Sequence, residues 1–208
     1  MRKPEKLEKQ TKKKLGPRGQ LMDTAIDLFA EKGFSGTSIR DIANAMGVSA
    51  SSIYHFFGNK EGLWVAILRY SVEELPAQLR EVSQLDMDPV ERFELLVRTH
   101  LKYSENHRRE SKILLIDEGM LSPEGQRINR KLQTEVMDIY LEQLQILKDL
   151  GYIQTPHLKV AAFNIFGVLN WVLRWYRPGG KLGEAATYDE VINFIMQGLI
   201  GSRDRKAK

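Results

Sequence analysis

Between Thr37 and Phe57 the chain reads TSIRDIANAMGVSASSIYHFF. Two short stretches with apolar residues at helical spacing meet there at a glycine, and neither is long enough to be a stable helix alone. A chain carrying this run is committed to docking two short helices across a tight turn. Gly47 supplies the left-handed backbone that the turn needs at little steric cost. Ala43 is small where the helices approach most closely, and Val48 and Ile53 are placed to plug the angle between them. Ser49, Ala50, Ser51 and Ser52 then open the third helix with small or hydroxylic side chains, and Tyr54 and His55 follow.

The rest of the chain keeps the same period. Apolar residues recur at helical spacing almost throughout, no alternating strand pattern is found, and no internal repeat is present, so the fold class is all-α with nine helices. Gly16-Pro17 closes an N-terminal arm, and Leu21, Ala25, Leu28 and Phe29 mark a first helix that stops at Lys32-Gly33. Thr37 or Ser38 caps the second helix, Ser49 caps the third, and Lys60 opens a long fourth helix to about Val82. Further helices are expected near 89–106, 109–121, 123–150, 156–176 and 188–201. The organisation is a basic disordered arm at 1–17, a three-helix head at 18–58, and a larger helical body at 59–203.

Charge separates the arm from the rest. Residues 1–18 hold eight basic and two acidic side chains, a balance of +6 in a chain of net charge +4. A basic arm on a mildly acidic body suits a polyanion partner; it equally suits a solvated tail that only aids solubility. With no cysteine among 208 residues, disulfides, thiolate metal sites and thiol nucleophiles are excluded. The N-terminus has no apolar segment of a secretory signal. The most apolar stretch, Val160 to Trp175, is interrupted by Asn164, Asn170 and Arg174 and is too short and polar for a membrane span. A cytoplasmic protein without membrane partner is expected.

The exposed face of the third helix carries the functional expectation. Small residues at its N-terminus let the helix enter a major groove without clashing, and hydroxyls or an alanine methyl can meet base edges there. Tyr54 and His55 suit phosphates. Lys60 adds its charge to the N-terminal field of the fourth helix, and Thr37 and Ser38 hold the matching place on the second. Other duties are open to each: Ser49 as a cap only, Tyr54 as half-buried packing, His55 as a surface histidine.

The pieces AIDLFAEKGFSGTSIRDIANAMGVS and SSIYHFFGNKEGL resemble the DNA-binding head of the TetR family of repressors over residues 18–64. The resemblance implies a third helix that reads the major groove of double-stranded DNA, and phosphate contacts from Tyr54, His55 and Lys60. Where many relatives carry lysine or arginine after Val-Ser, this chain has Ala50, which weakens the case for a guanine contact from that position. Arg40, exposed on the second helix, is a candidate to compensate.

The resemblance also implies a homodimer on a near-palindromic operator, because two heads must meet two half-sites. The eighth helix is apolar nearly all round and must be buried on more than one side. Phe163, Phe166, Trp171 and Trp175 on it, with Val191, Phe194 and Ile195 on the ninth, are the expected interface. A single large monomeric core is the other way to hide them. A small-molecule effector is expected in the body, with Phe93, His100, Tyr103, Met120, Met137, Tyr140 and Phe166 as lining candidates and core packing as their alternative. The run NWVLRWYRPGG places Asn170, Arg174 and Arg177 beside tryptophans, an arrangement that binds phosphate and stacks a flat ring; helix capping by the arginines is the other reading. The run resembles a subgroup that answers to acyl-coenzyme A esters in lipid or aromatic-acid breakdown. Control of a drug-efflux gene by a hydrophobic or cationic compound is the alternative.

Two other classes compete. No HExxH, G-x-S-x-G, P-loop or G-x-G-x-x-G motif occurs, leaving only His100, His107, Asp117 and Glu118 as a scattered acid–base or metal set. No enzyme activity, cofactor or metal is therefore expected. A protein-interaction module using the helix-turn-helix as scaffold would not need the basic arm or the small-residue face.

Overall fold

A computed structural model describes residues 16–72, 74–109, 111, 123–177, 179 and 181–200. Among the described residues the chain forms nine α-helices and no strand, in two compact units. The basic arm up to residue 15 and most of the expected helix at 109–121 lie outside the described residues.

The first unit gathers the described residues up to Ser71 together with those of 109–128. It contains α1 (Pro17–Lys32), α2 (Ile39–Met46), α3 (Ala50–Phe57) and α4 (Lys60–Val72). Pro17 starts α1, where a missing N–H costs nothing. Ser38 caps α2 in a capping box with Asp41: the Ser38 hydroxyl accepts from the Asp41 N–H at 3.2 Å, and the Asp41 carboxylate accepts from the Ser38 N–H at 2.8 Å. The bonds from the Ser38 side chain, then its backbone, hold the Asp41 carboxyl below its ordinary pKa. Gly47 ends α2 at φ 65°, ψ 29°, the left-handed conformation the sequence calls for. Leu21, Ile26, Ile42, Ile53, Leu63 and Leu68 fill the core around Phe29, Phe34 and Trp64, three rings whose centroids are mutually 5.3 Å apart. Leu63, Trp64, Ile67 and Leu68 belong to this core, so packing carries the head beyond residue 58 into the first turns of α4.

The second unit gathers residues 72–108 and those from Asn129 onward. Its helices are α5 (Glu74–Ser83), α6 (Pro89–Asn106), α7 (Pro123–Asp149, whose first turns belong to the first unit), α8 (Leu158–Trp175) and α9 (Glu184–Ile200). The helix expected from Lys60 to Val82 is described as α4, up to Val72, and α5, from Glu74, with residue 73 outside the described residues. Asp88 caps α6 through the N–H groups of Val90 and Glu91, at 2.9 and 3.1 Å. Phe93, Leu96, Val97, Ile139, Leu144, Ala162, Ile165, Leu169 and Ile192 form the core of this unit. Arg92 Nε donates to Gln143 at 2.9 Å, joining α6 to α7, and Arg98 pairs with Asp189 of α9 at 2.8 Å.

Candidate nucleic-acid interface

The sequence residues assigned to DNA divide by what their side chains already do. Thr37 is 1% exposed, and its hydroxyl donates to the carbonyls of Leu28 and Gly33 at 3.2 and 2.9 Å. That is a correction: Thr37 closes the α1–α2 loop and its side chain is not available to a phosphate. Lys60 is also turned inward, its ammonium donating to the carbonyls of Phe34 and Thr37 at 2.8 and 3.0 Å and lying 4.2 Å from the centre of the Phe34 ring. Lys60 thus braces the same loop from the start of α4.

The outward set is Ser38, Arg40, Ser49, Ser51, Tyr54 and His55, all exposed, with Ala50 and Ser52 half-buried. Ser49 is the cap of α3, its hydroxyl accepting from the Ser52 N–H at 3.2 Å, and it remains exposed on the same end of the helix. Ile53 is fully buried in the core of the head. Val48, expected beside it, is 39% exposed. The turn is the reason: the Val48 N–H reaches back to the Ala43 carbonyl at 3.0 Å, and the following extended Ser49 leaves the Val48 side chain on the surface. Pattern reading missed this because an apolar residue next to a helix normally packs under it.

In the body, the lining candidates fall into two groups. His100, Tyr140, Phe93 and Phe166 form one aromatic cluster: His100 Nδ1 and the Tyr140 hydroxyl are 3.0 Å apart, and Phe166 packs edge-on to Tyr140 at 4.8 Å. Tyr103, one turn along α6, stacks on His107 at 4.3 Å. Met137 packs partly buried against this core. Asn170 is half-buried, whereas Arg174 and Arg177 are exposed. The Arg174 guanidinium lies 5.6 Å from the centre of the Trp171 ring. Met120, Asp117 and Glu118 lie outside the described residues.

Helix capping is done by a residue the sequence did not single out. Arg108, just past α6, donates to the carbonyls of Leu173 and Tyr176 at the end of α8 and pairs with Glu105 at 2.8 Å. A cleft of about 470 Å³ in the first unit is lined by Arg18, Phe57, Asn59, Arg69 and Glu124, and by none of the effector candidates. Among the described residues no group of histidines and carboxylates could hold a metal, and no helix is long and apolar enough to cross a membrane.

The expected dimer residues split as well. Phe163, Trp171, Trp175 and Phe194 are 56%, 60%, 48% and 67% exposed. Val191 and Ile195 are buried within the unit's own core, and Phe166 points toward His100. Val191 and Ile195 are corrected from interface to interior, because α8 and α9 use one side each on their own unit, while Phe166 is half-buried with its ring against His100.

The family profile described as "Bacterial regulatory proteins, tetR family" matches residues 21–67, over the head, and "Tetracyclin repressor-like, C-terminal domain" matches residues 86–199. The chain belongs to the TetR family. This repressor is 30% identical to the HTH-type transcriptional repressor KstR2 of Rhodococcus jostii strain RHA1 over 194 residues, 91% of this chain and 94% of the relative. Among solved structures it is similar to the ketosteroid transcriptional regulator KstR2 of Mycobacterium tuberculosis, with a TM-score of 0.81 and 26% identity over 89% of this chain and 95% of that one. It is also similar to AibR in complex with isovaleryl coenzyme A and operator DNA, with a TM-score of 0.76 and 25% identity over 88% and 98%. The TetR-family chain is thus a transcriptional repressor and not an enzyme; it binds operator DNA, acts as a dimer and binds a small-molecule effector.

Proposed function

We propose that this TetR-family repressor holds a near-palindromic operator through the α3 face and is released by an acyl-coenzyme A thioester of lipid or aromatic-acid catabolism. It does so in the cytoplasm, where operator and thioester meet. Ser49, Ala50, Ser51 and Ser52 meet bases, with Ser38, Arg40, Tyr54 and His55 placed for the flanking strands. The exposed Phe163, Trp175 and Phe194 are the dimer face, with Trp171 kept for the effector.

The observation that carries the effector reading is the Arg174–Trp171 pair. A guanidinium over an indole face, both exposed, offers a phosphate partner and a stacking surface for an adenine ring in one place. The buried cluster of Phe93, His100, Tyr140 and Phe166 suits an apolar acyl group. Support comes from the similarity to AibR, whose structure holds isovaleryl coenzyme A.

Thermal melting with a panel of acyl-coenzyme A esters, free coenzyme A and the free acids tests the reading. A thioester should raise Tm and release the repressor from DNA in a gel shift. If no thioester shifts Tm at saturation while a hydrophobic cation does, control of drug efflux replaces it.

A further inference from the structure

The recognition end of the head carries an apolar side chain, Val48, that the fold leaves outside its core, a small one, Ala50, that packs on that core with one side only, and few polar ones free to read bases. Val48 is 39% exposed directly before the cap of α3, and Ala50 is half-buried in its first turn. The hydroxyls of Ser49 and Ser52 lie 2.9 Å apart, and Ser49 also accepts the Ser52 N–H, so the two spend bonding capacity on each other. Ser51 is the exposed hydroxyl of that turn, and the cap bonds of Ser49 go to Ser52 instead. The whole of α3 reads ASSIYHFF. It contains no arginine, lysine, asparagine or glutamine, the side chains that grip guanine or adenine with paired hydrogen bonds in the major groove.

We infer that each operator half-site is recognised chiefly through the 5-methyl groups of thymines, which meet Val48 and Ala50, with Ser51 as the accompanying hydroxyl. The inference rests on the α3 face being the surface that meets DNA, and it adds which base chemistry that surface selects. The thymine methyl is the one apolar feature on a base edge in the major groove. An exposed valine and a half-buried alanine are the complementary groups, and neither can discriminate guanine from adenine by hydrogen bonding. Arg40, exposed on α2, is the rival reader, because its guanidinium could take guanine from the neighbouring helix.

The experiment uses the full chain and duplexes it selects from a random pool, with affinity measured at one fixed salt concentration. Each half-site thymine is replaced by uracil, which removes only the methyl, and each guanine by 7-deazaguanine, which removes the N7 acceptor. Uracil at the contacted thymines should weaken binding about fourfold each, the equivalent of one buried methyl-sized group. Val48→Ala should erase the penalty at one thymine without lowering Tm, since the side chain is on the surface. Val48→Thr, which keeps the shape, provides the same readout should the alanine variant melt early. Unchanged affinity on full uracil substitution overturns the proposal, and a 7-deazaguanine penalty that disappears in Arg40→Gln assigns the reading to Arg40. If Ser51→Glu binds the selected duplex as well as the parent does, the α3 face is not the DNA surface, and the functional reading itself falls with the inference.

Discussion

The Nδ1 of His100 lies 3.0 Å from the hydroxyl of Tyr140, and both side chains are buried in the body against Phe166. Burial pushes the His100 pKa down to about 4 from its ordinary 6.5, so the folded protein holds the ring neutral. The unfolded chain binds a proton in that interval and the folded one does not. Stability from this source is therefore complete above pH 6.5 and is lost as pH falls toward 4, by roughly 3 kcal/mol over the full interval. Between pH 7 and pH 4.5 the unfolding free energy from urea titrations should fall further in the parent than in His100→Gln, which cannot titrate, by about 2 kcal/mol. Equal falls would mean that His100 is hydrated enough to take its proton in place.

Lys60 distinguishes a brace from a phosphate ligand. Two of its donors are taken by the Phe34 and Thr37 carbonyls, and its charge sits over the Phe34 ring. Lys60→Met should destabilise the protein by roughly 1–3 kcal/mol, because two partly buried carbonyls lose their donor. The salt dependence of operator binding should keep its slope, whereas losing a true phosphate contact lowers the slope by about one. A slope reduced by one with Tm unchanged would return Lys60 to the DNA.

These residues mark how far sequence reading reaches. Local features were legible: the Ser38 and Ser49 caps, the left-handed Gly47 and the apolar faces of α1–α3 depend on neighbours within four residues. Lys60 was not, because its partners lie 26 and 23 residues back along the chain and nothing in NKEG signals them. Val48 failed for the opposite reason: its exposure is set by a turn whose geometry overrides the apolar pattern. On α8 the composition required two buried sides but could not say which residues take which. Folding sorted Ile165, Leu169 and Val172 inward and Phe163, Trp171 and Trp175 outward. Among the effector candidates, Phe93, His100, Tyr140 and Phe166 converge, whereas Arg174 and Arg177 stay on the surface.

Tyr54 is 51% exposed on α3, away from the buried Ile53 and Phe57. Tyr54→Ala should reduce affinity for every DNA sequence alike, by roughly 1–3 kcal/mol, if its hydroxyl holds a phosphate. Its Tm should match the parent's, as little packing is removed. Circular-dichroism melts beside gel shifts on specific and random duplexes check both parts. A variant that melts early would show that Tyr54 packs the head.

Val160, Phe163 and Gly167 recur every three or four residues on α8 and form one exposed stripe. Phe194 on α9, at 67% exposure, adds to it. A soluble chain rarely leaves that much contiguous apolar surface to water, and a second copy presenting the same stripe would cover it isologously. Phe163→Glu combined with Phe194→Glu places carboxylates on both helices at positions where the isolated chain loses no packing. Sedimentation should shift the repressor from dimer to monomer with its helical content intact. Operator affinity should fall at least tenfold, because each half-site is then bound alone. A double variant that stays dimeric and keeps its affinity would place the subunit contact on another face of the body.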